Sequence, residues 1–255
     1  MNELHEEFES KGLTIIGVTS ESESNTEPWI DSKGATYPYA YDKGGKLKRA
    51  LGVSGIPHAF LVSPGGTIVW EGHPGNLKAS TIEANLEGAI SKPLYEWSGG
   101  AKKAKQAFLK NDFAGALAAA AKLAKDDPFG TEVEGVLKSI LASRVQKIEG
   151  ALRLGDILTA YEGAKVLSKG LKGLPEEETI KAALKRISKE KDLKATLKVQ
   201  EKLRDITSEE VTKKKEADAN TDKLEKLLKG NEGTFVGNAI ETKIKDYRKM
   251  RGSLR

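Results

Sequence analysis

Three histidines, a few loop acids and one isoleucine–proline step are the groups in this chain whose chemistry must be weighed first. His5, His58 and His73 share no spacing such as His-x-x-x-His that would set two imidazoles on one metal, and no Glu-x-x-His helix motif accompanies them. His58 follows a proline at the start of an apolar run, where a turn or surface role suffices. No metal and no cofactor is therefore expected. Glu21 and Glu23 lie in a polar stretch without a partner that spacing supplies, which describes a solvated loop better than an acid–base pair. Gly52-Val53-Ser54-Gly55 falls one residue short of the Gly-x-Ser-x-Gly elbow of a nucleophilic serine. No Gly-x-x-x-x-Gly-Lys-Ser/Thr phosphate loop occurs. The 255 residues contain no cysteine. Disulfides, thiol nucleophiles and thiolate metal sites are thus excluded within them, and nothing follows about redox compartment. What remains is Gly55-Ile56-Pro57, an X-Pro bond directly before an apolar strand and hence a candidate cis bond.

The elements around that loop can be read from hydrophobic period and turn residues. Residues 2–10 suit a helix with Leu4 and Phe8 on one face, stopped by Gly12. Residues 13–18 are continuously apolar and β-branched, as in a strand buried on both faces. After a polar loop at 19–26, Pro28 suits the first turn of a helix running to Lys33. Residues 37–41 read as a short aromatic strand with Pro38 at its edge or entry. A turn at 42–45 leads to a helix at 46–51. Beyond the proline, residues 58–63 and 67–71 flank Pro64-Gly65-Gly66 and predict a β-hairpin. Strict alternation sets Ile68 and Trp70 on one face of it. Residues 77–90 predict an amphipathic helix with Ile82, Leu86 and Ile90 on one stripe. Trp29, Trp70 and Trp97 are read as core or cover, the last marking a packing junction between the halves.

The string Gly52-Val53-x-Gly55-Ile56-Pro57-x-x-Phe60-Leu61-Val62, followed by a tight turn and another strand, resembles the thioredoxin superfamily in its TlpA-like and redoxin branch. The resemblance covers roughly residues 1–92 and is most specific at 52–71. It implies an incomplete thioredoxin-like α/β fold, a thiol-disulfide oxidoreductase lineage, a cis Pro57, and a substrate-docking loop formed by Gly55, Ile56 and Pro57. It implies also a polypeptide or disulfide substrate. The sequence departs from the family where the reaction would take place. A central strand ending in a Trp-Cys-x-x-Cys turn belongs before residue 1, between the equivalents of residues 13–18 and 59–63. The sheet is therefore expected to carry a gap, and the chain as written to be redox-inactive. The alternative is a cysteine-free thioredoxin-like binding or chaperone module.

Charge divides the chain near Lys92-Pro93. Residues 1–93 hold 8 Lys+Arg against 12 Asp+Glu, while residues 94–255 hold 34 against 25. We expect a thioredoxin-like domain at 1–93 and an all-α hairpin or bundle domain at 94–255, since helix formers run almost unbroken from Ser98. Residues 110–117 resemble the second helix of a tetratricopeptide unit, and 154–164 echo them; two copies are too few for a self-supporting array. Such a half would present a groove to a protein partner or cap the sheet. It also admits a helical interaction protein for which the sheet is only a base. Lysine runs at 213–215 and 226–229 are interleaved with Glu209, Glu210, Glu216, Asp218, Asp222 and Glu225, without aromatics to stack bases. Nucleic acid is accordingly not expected as a partner. No apolar run reaches membrane-span length. No leader is visible at Met1; an extracytoplasmic location is expected only if one precedes it, and a cytoplasmic one otherwise.

Overall fold

The computed structural model describes residues 1–208 and 210–253; Glu209, one of the interleaved acids, lies outside them. The chain forms two compact units, residues 1–143 and 144–255.

In the first unit, α1 (Asn2–Phe8) tightens into a 3₁₀ turn and ends at Gly12, whose φ of 99° only glycine adopts easily. A Cβ at Gly12 would also stand 2.8 Å from that of Ala89. Strand β1 (Gly17–Thr19), α2 (Glu23–Lys33), β2 (Tyr39–Tyr41) and α3 (Lys46–Ala50) follow. Then come the hairpin β3 (Ala59–Val62) and β4 (Ile68–Gly72), the short α4 (Ala79–Glu83), and the helical pair α5 (Ala101–Leu109) and α6 (Phe113–Leu123). Helix α7 (Phe129–Leu154) begins in this unit and ends in the other. β1 pairs with β2 in parallel, Gly17 opposite Tyr39, and β3 with β4 antiparallel, but among the described residues no ladder joins the two pairs. Phe8, Leu61 and Ile82 are the buried centre of this part, with Leu4, Leu13, Trp70, Leu77 and Leu86 around them.

The structure corrects four expectations. Residues 13–18 do not form a doubly buried strand: only Gly17–Thr19 pairs, and Ile16 and Val18 are 49% and 51% exposed. β-branched residues create the propensity, but burial on both faces needs neighbours, and among the described residues β1 has β2 alone beside it. Pro28 lies in the middle of α2, not in its first turn, because the helix starts at Glu23. The helix expected at 77–90 stops at Glu83, where the Asn85 side chain takes the Thr81 carbonyl at 2.8 Å and Gly88 turns left-handed. Ile68 and Trp70 do not share a face. A bulge sets Val62 opposite Ile68 and Leu61 opposite Trp70, so Trp70 goes inward with buried Leu61 while Ile68 stays 45% exposed.

The charge boundary near residue 93 falls inside the first unit. Contacts across that point explain why. The Trp97 indole donates to the Lys92 carbonyl at 2.9 Å and meets Phe129 edge-on at 6.1 Å. The Ser91 N–H donates to the Glu132 carboxylate at 2.8 Å, and the Thr67 and Ser143 hydroxyls lie 3.3 Å apart. Around Trp97, alanines 101, 104, 116 and 120 let α5 and α6 approach α7 at Val133 and Leu137.

The second unit holds the end of α7, α8 (Ile157–Leu167), α9 (Glu176–Lys189), α10 (Lys191–Thr207), α11 (Lys214–Leu228) and α12 (Phe235–Arg251). The repeated motif seen in sequence is a repeated turn. Asn111 (φ 59°) and Gly155 (φ 84°) are left-handed, and the aspartates after them, Asp112 and Asp156, cap the next helix through the N–H groups of Gly115 and Thr159. Buried Gln200 closes the second copy, accepting from the Leu158 N–H and donating to the Gly155 carbonyl, both at 2.7 Å. Replacing Gln200 by leucine strands both backbone groups and is expected to cost about 1–3 kcal/mol, read as a lowered urea midpoint by circular dichroism. An unchanged midpoint would show that water or a neighbour satisfies them.

Candidate functional site

The site is the connection between α3 and β3. Asp42 starts it: its carboxylate accepts from the N–H groups of Leu47 at 2.9 Å and Lys48 at 3.0 Å, with Gly44 and Gly45 left-handed between. Those bonds, that of Lys48 first, hold its carboxyl below the usual carboxylate range, so this anchor is present at neutral pH and is lost on acidification through its lowered pKa. Helix α3 then ends at Gly52 (φ 68°), where the chain swings out. Gly55, Ile56 and Pro57 are all exposed. The Ile56–Pro57 bond is cis, and Ile56 is 81% exposed, which is unusual for an isoleucine. Among the described residues, no backbone hydrogen bond is made by Ser54, Gly55 or Ile56.

Strand β3 continues this open backbone. Ser63 donates to the Thr67 carbonyl at 2.8 Å, so Leu61 and Ala59, of the same parity, face β4. The backbone groups of Phe60 and Val62 therefore face the other edge, where no strand pairs among the described residues, and Val62 is 53% exposed. β1 has a matching edge: Gly17 donates to Pro38 and Thr19 accepts from Asp42, which turns the backbone groups of Val18 away from β2. Unpaired edges of this kind template strand addition. These two edges lie where the resemblance implied a gap, between residues 13–18 and 59–63, and among the described residues no ladder joins β1 to β3.

The histidines converge on nothing. His5 is buried in α1 with its ring edge-on to Tyr37 at 6.2 Å and its Nδ1 without a hydrogen-bond partner. His73 uses Nδ1 to accept from the Gly75 N–H at 3.1 Å, and exposed His58 leans on Phe60 at 4.8 Å. Among the described residues no three potential ligands cluster as a metal site. Tyr39 lies over Gly17, where a Cβ would come within 2.5 Å of its ring, and burial with the Tyr37 hydroxyl pushes its phenol pKa up. That contact holds β1 to β2 and places no reactive group. Trp97 is buried as expected, but Trp29 is 50% exposed.

Residues 1–71, which include the whole of this site, match the AhpC/TSA family model. This segment is redoxin-like and of the thioredoxin superfamily. The chain is also similar to proteins named thiol-disulfide oxidoreductase ResA. That of Bacillus anthracis is 33% identical over 93 residues, 36% of this chain and 51% of the relative. That of Halalkalibacterium halodurans is 30% identical over 88 residues, covering 34% and 49%. The chain thus spans about half the length of these curated relatives. No solved structure matches it significantly. The first part is a partial thioredoxin-like α/β fold and the rest is all-α. Among the described residues no helix is long and apolar enough to cross a membrane.

Proposed function

We propose that this chain is a peptide-docking member of the thiol-disulfide oxidoreductase lineage that moves no electrons with its own residues. The observation that carries the proposal is the exposed, unbonded backbone at Ile56 running into the free edge of β3. An extended polypeptide laid along Gly55, Ile56 and Pro57 would gain main-chain hydrogen bonds there, with the Ile56 side chain beside it as an apolar contact. Disulfide exchange needs a thiolate to attack a sulfur, and the 255 residues offer none. The reaction in the relatives' name would require thiols supplied from outside this sequence. In this proposal residues 1–93 carry the docking surface and the helices of residues 94–255 serve protein interaction, although the compact units divide at residue 143.

A chain without cysteine is well suited to a test. Ile56→Cys introduces a single thiol for an environment-sensitive fluorophore, with Lys229→Cys as a distant control. Titrating the labelled full chain with reduced, carboxymethylated α-lactalbumin as an unfolded probe is expected to give a saturable emission shift at position 56 only. No shift, or equal shifts at both positions, removes the docking proposal. In dithiothreitol-driven insulin reduction the unlabelled chain is expected to match the protein-free rate; acceleration would show that the missing thiolate is not required.

A further inference from the structure

We infer that the groove between α10 and α11 is a docking site for an acidic peptide segment carrying a single apolar side chain. The groove encloses about 430 Å³ and is lined by Lys202, Asp205 and Ile206 from α10 and Lys223, Lys226 and Leu227 from α11. Both helices present the same spacing. Charged residues at i and i+3 form the rim, and an aliphatic residue at i+4 forms the floor, because these positions share one helix face. Ile206 and Leu227 are half-buried and pack from above on the core of Leu224, Val236, Ile240 and Ile244. The floor is therefore rigid and apolar, and still open.

The charge around it is unbalanced. Neighbouring arginines of this unit are matched: Arg204 with Glu162 at 2.6 Å, Arg248 with Glu225 at 2.7 Å, and Arg251 with Asp218. Asp205 itself lies 3.5 Å from Arg204. Lys202, Lys223 and Lys226 are exposed, and none has an ion-pair partner among the described residues. Three unmatched ammonium groups around an aliphatic floor complement a segment with carboxylates on either side of one apolar residue. Asp205 in the same rim suits a peptide, which brings N–H donors, and repels a phosphate backbone. No aromatic side chain lines the groove to stack a base. A flat anionic lipid surface would meet the lysine tips without reaching Ile206 and Leu227.

The test uses the full chain and a fluorescein-labelled decapeptide of Asp and Glu residues around one central leucine, read by anisotropy. Saturable binding is expected, weakened at least about tenfold by Lys223→Glu with Lys226→Glu and by raising salt to about 0.5 M. A peptide with serine for the leucine should also bind more weakly. Both lysines are exposed, so the double variant keeps its helical circular dichroism. Amide chemical shifts on titration should map to α10 and α11. The inference is overturned if folded protein shows no saturation, if the double variant binds equally, or if the shifts map elsewhere. It is equally overturned if oligothymidylate or phosphatidylglycerol vesicles bind more tightly with the same lysine dependence.

Discussion

Hydrogen exchange on the intact chain will show the amides of β1 to β4 exchanging at least about a hundredfold faster than those at the centre of α12. Among the described residues each strand pairs with one other, and two-stranded pairs are marginal in water. Among the described residues, Phe8, Leu61 and Ile82 form the buried part of the cluster behind them, while Ile16, Val18, Val62, Ile68 and Val69 stand 40% or more exposed. Helix α12 instead buries Val236, Gly237, Ile240, Ile244 and Tyr247. Local opening of the ladders therefore exposes little apolar surface that was not already wet. The same openness that would make β3 available to a docking peptide makes it easy to fray. Equal protection of strands and α12, or a single cooperative melt at high temperature, would mean that something other than the ladders holds this region.

The second large effect concerns two glycines that sequence alone does not tell apart. Gly237 sits in the first turn of α12, capped by the Thr234 hydroxyl at 3.0 Å, and a methyl placed on it would run into the carbonyl of Asn231. The obstacle is backbone, held in turn by the Thr234 hydroxyl at 2.6 Å, so it cannot swing aside as a side chain would. Gly237→Ala is expected to lose about 2–3 kcal/mol by overpacking. Gly135, inside α7, has open space where a Cβ would go. Gly135→Ala is expected to gain about 0.5–1 kcal/mol, because alanine restricts the unfolded chain and favours helix. Urea titrations of the two variants beside the parent check both signs; destabilisation by both would show that α7 needs Gly135 for a contact beyond those described.

The cis-proline loop at residues 55–57 was legible in the sequence because its signals are local. The Gly52 turn, proline after isoleucine and the apolar run after them act through neighbours along the chain, so their order survives into α3, the loop, β3 and β4. That these 255 residues carry no thiol was also read directly from the sequence, since folding rearranges side chains and adds none. The aspartates that cap α6 and α8 were visible as a repeat before their hydrogen bonds were known.

Other features depended on what lies across space. Residues 13–18 have the composition of a doubly covered strand, yet Ile16 and Val18 are half exposed, because burial depends on a partner that composition does not reveal. One extra residue in β4 reversed the faces of Ile68 and Trp70, a shift that alternation cannot anticipate when the bulge is set by pairing with Leu61 and Val62. The compact unit ran past the charge boundary because Trp97, Glu132 and Ser143 reach back to residues on the far side of it. In the lysine-rich helices the sequence showed interleaved signs and therefore an ion-paired face. Only the tertiary structure decided which cations found acids, since pairing is settled by distances between helices, and it left Lys202, Lys223 and Lys226 around the open floor of Ile206 and Leu227.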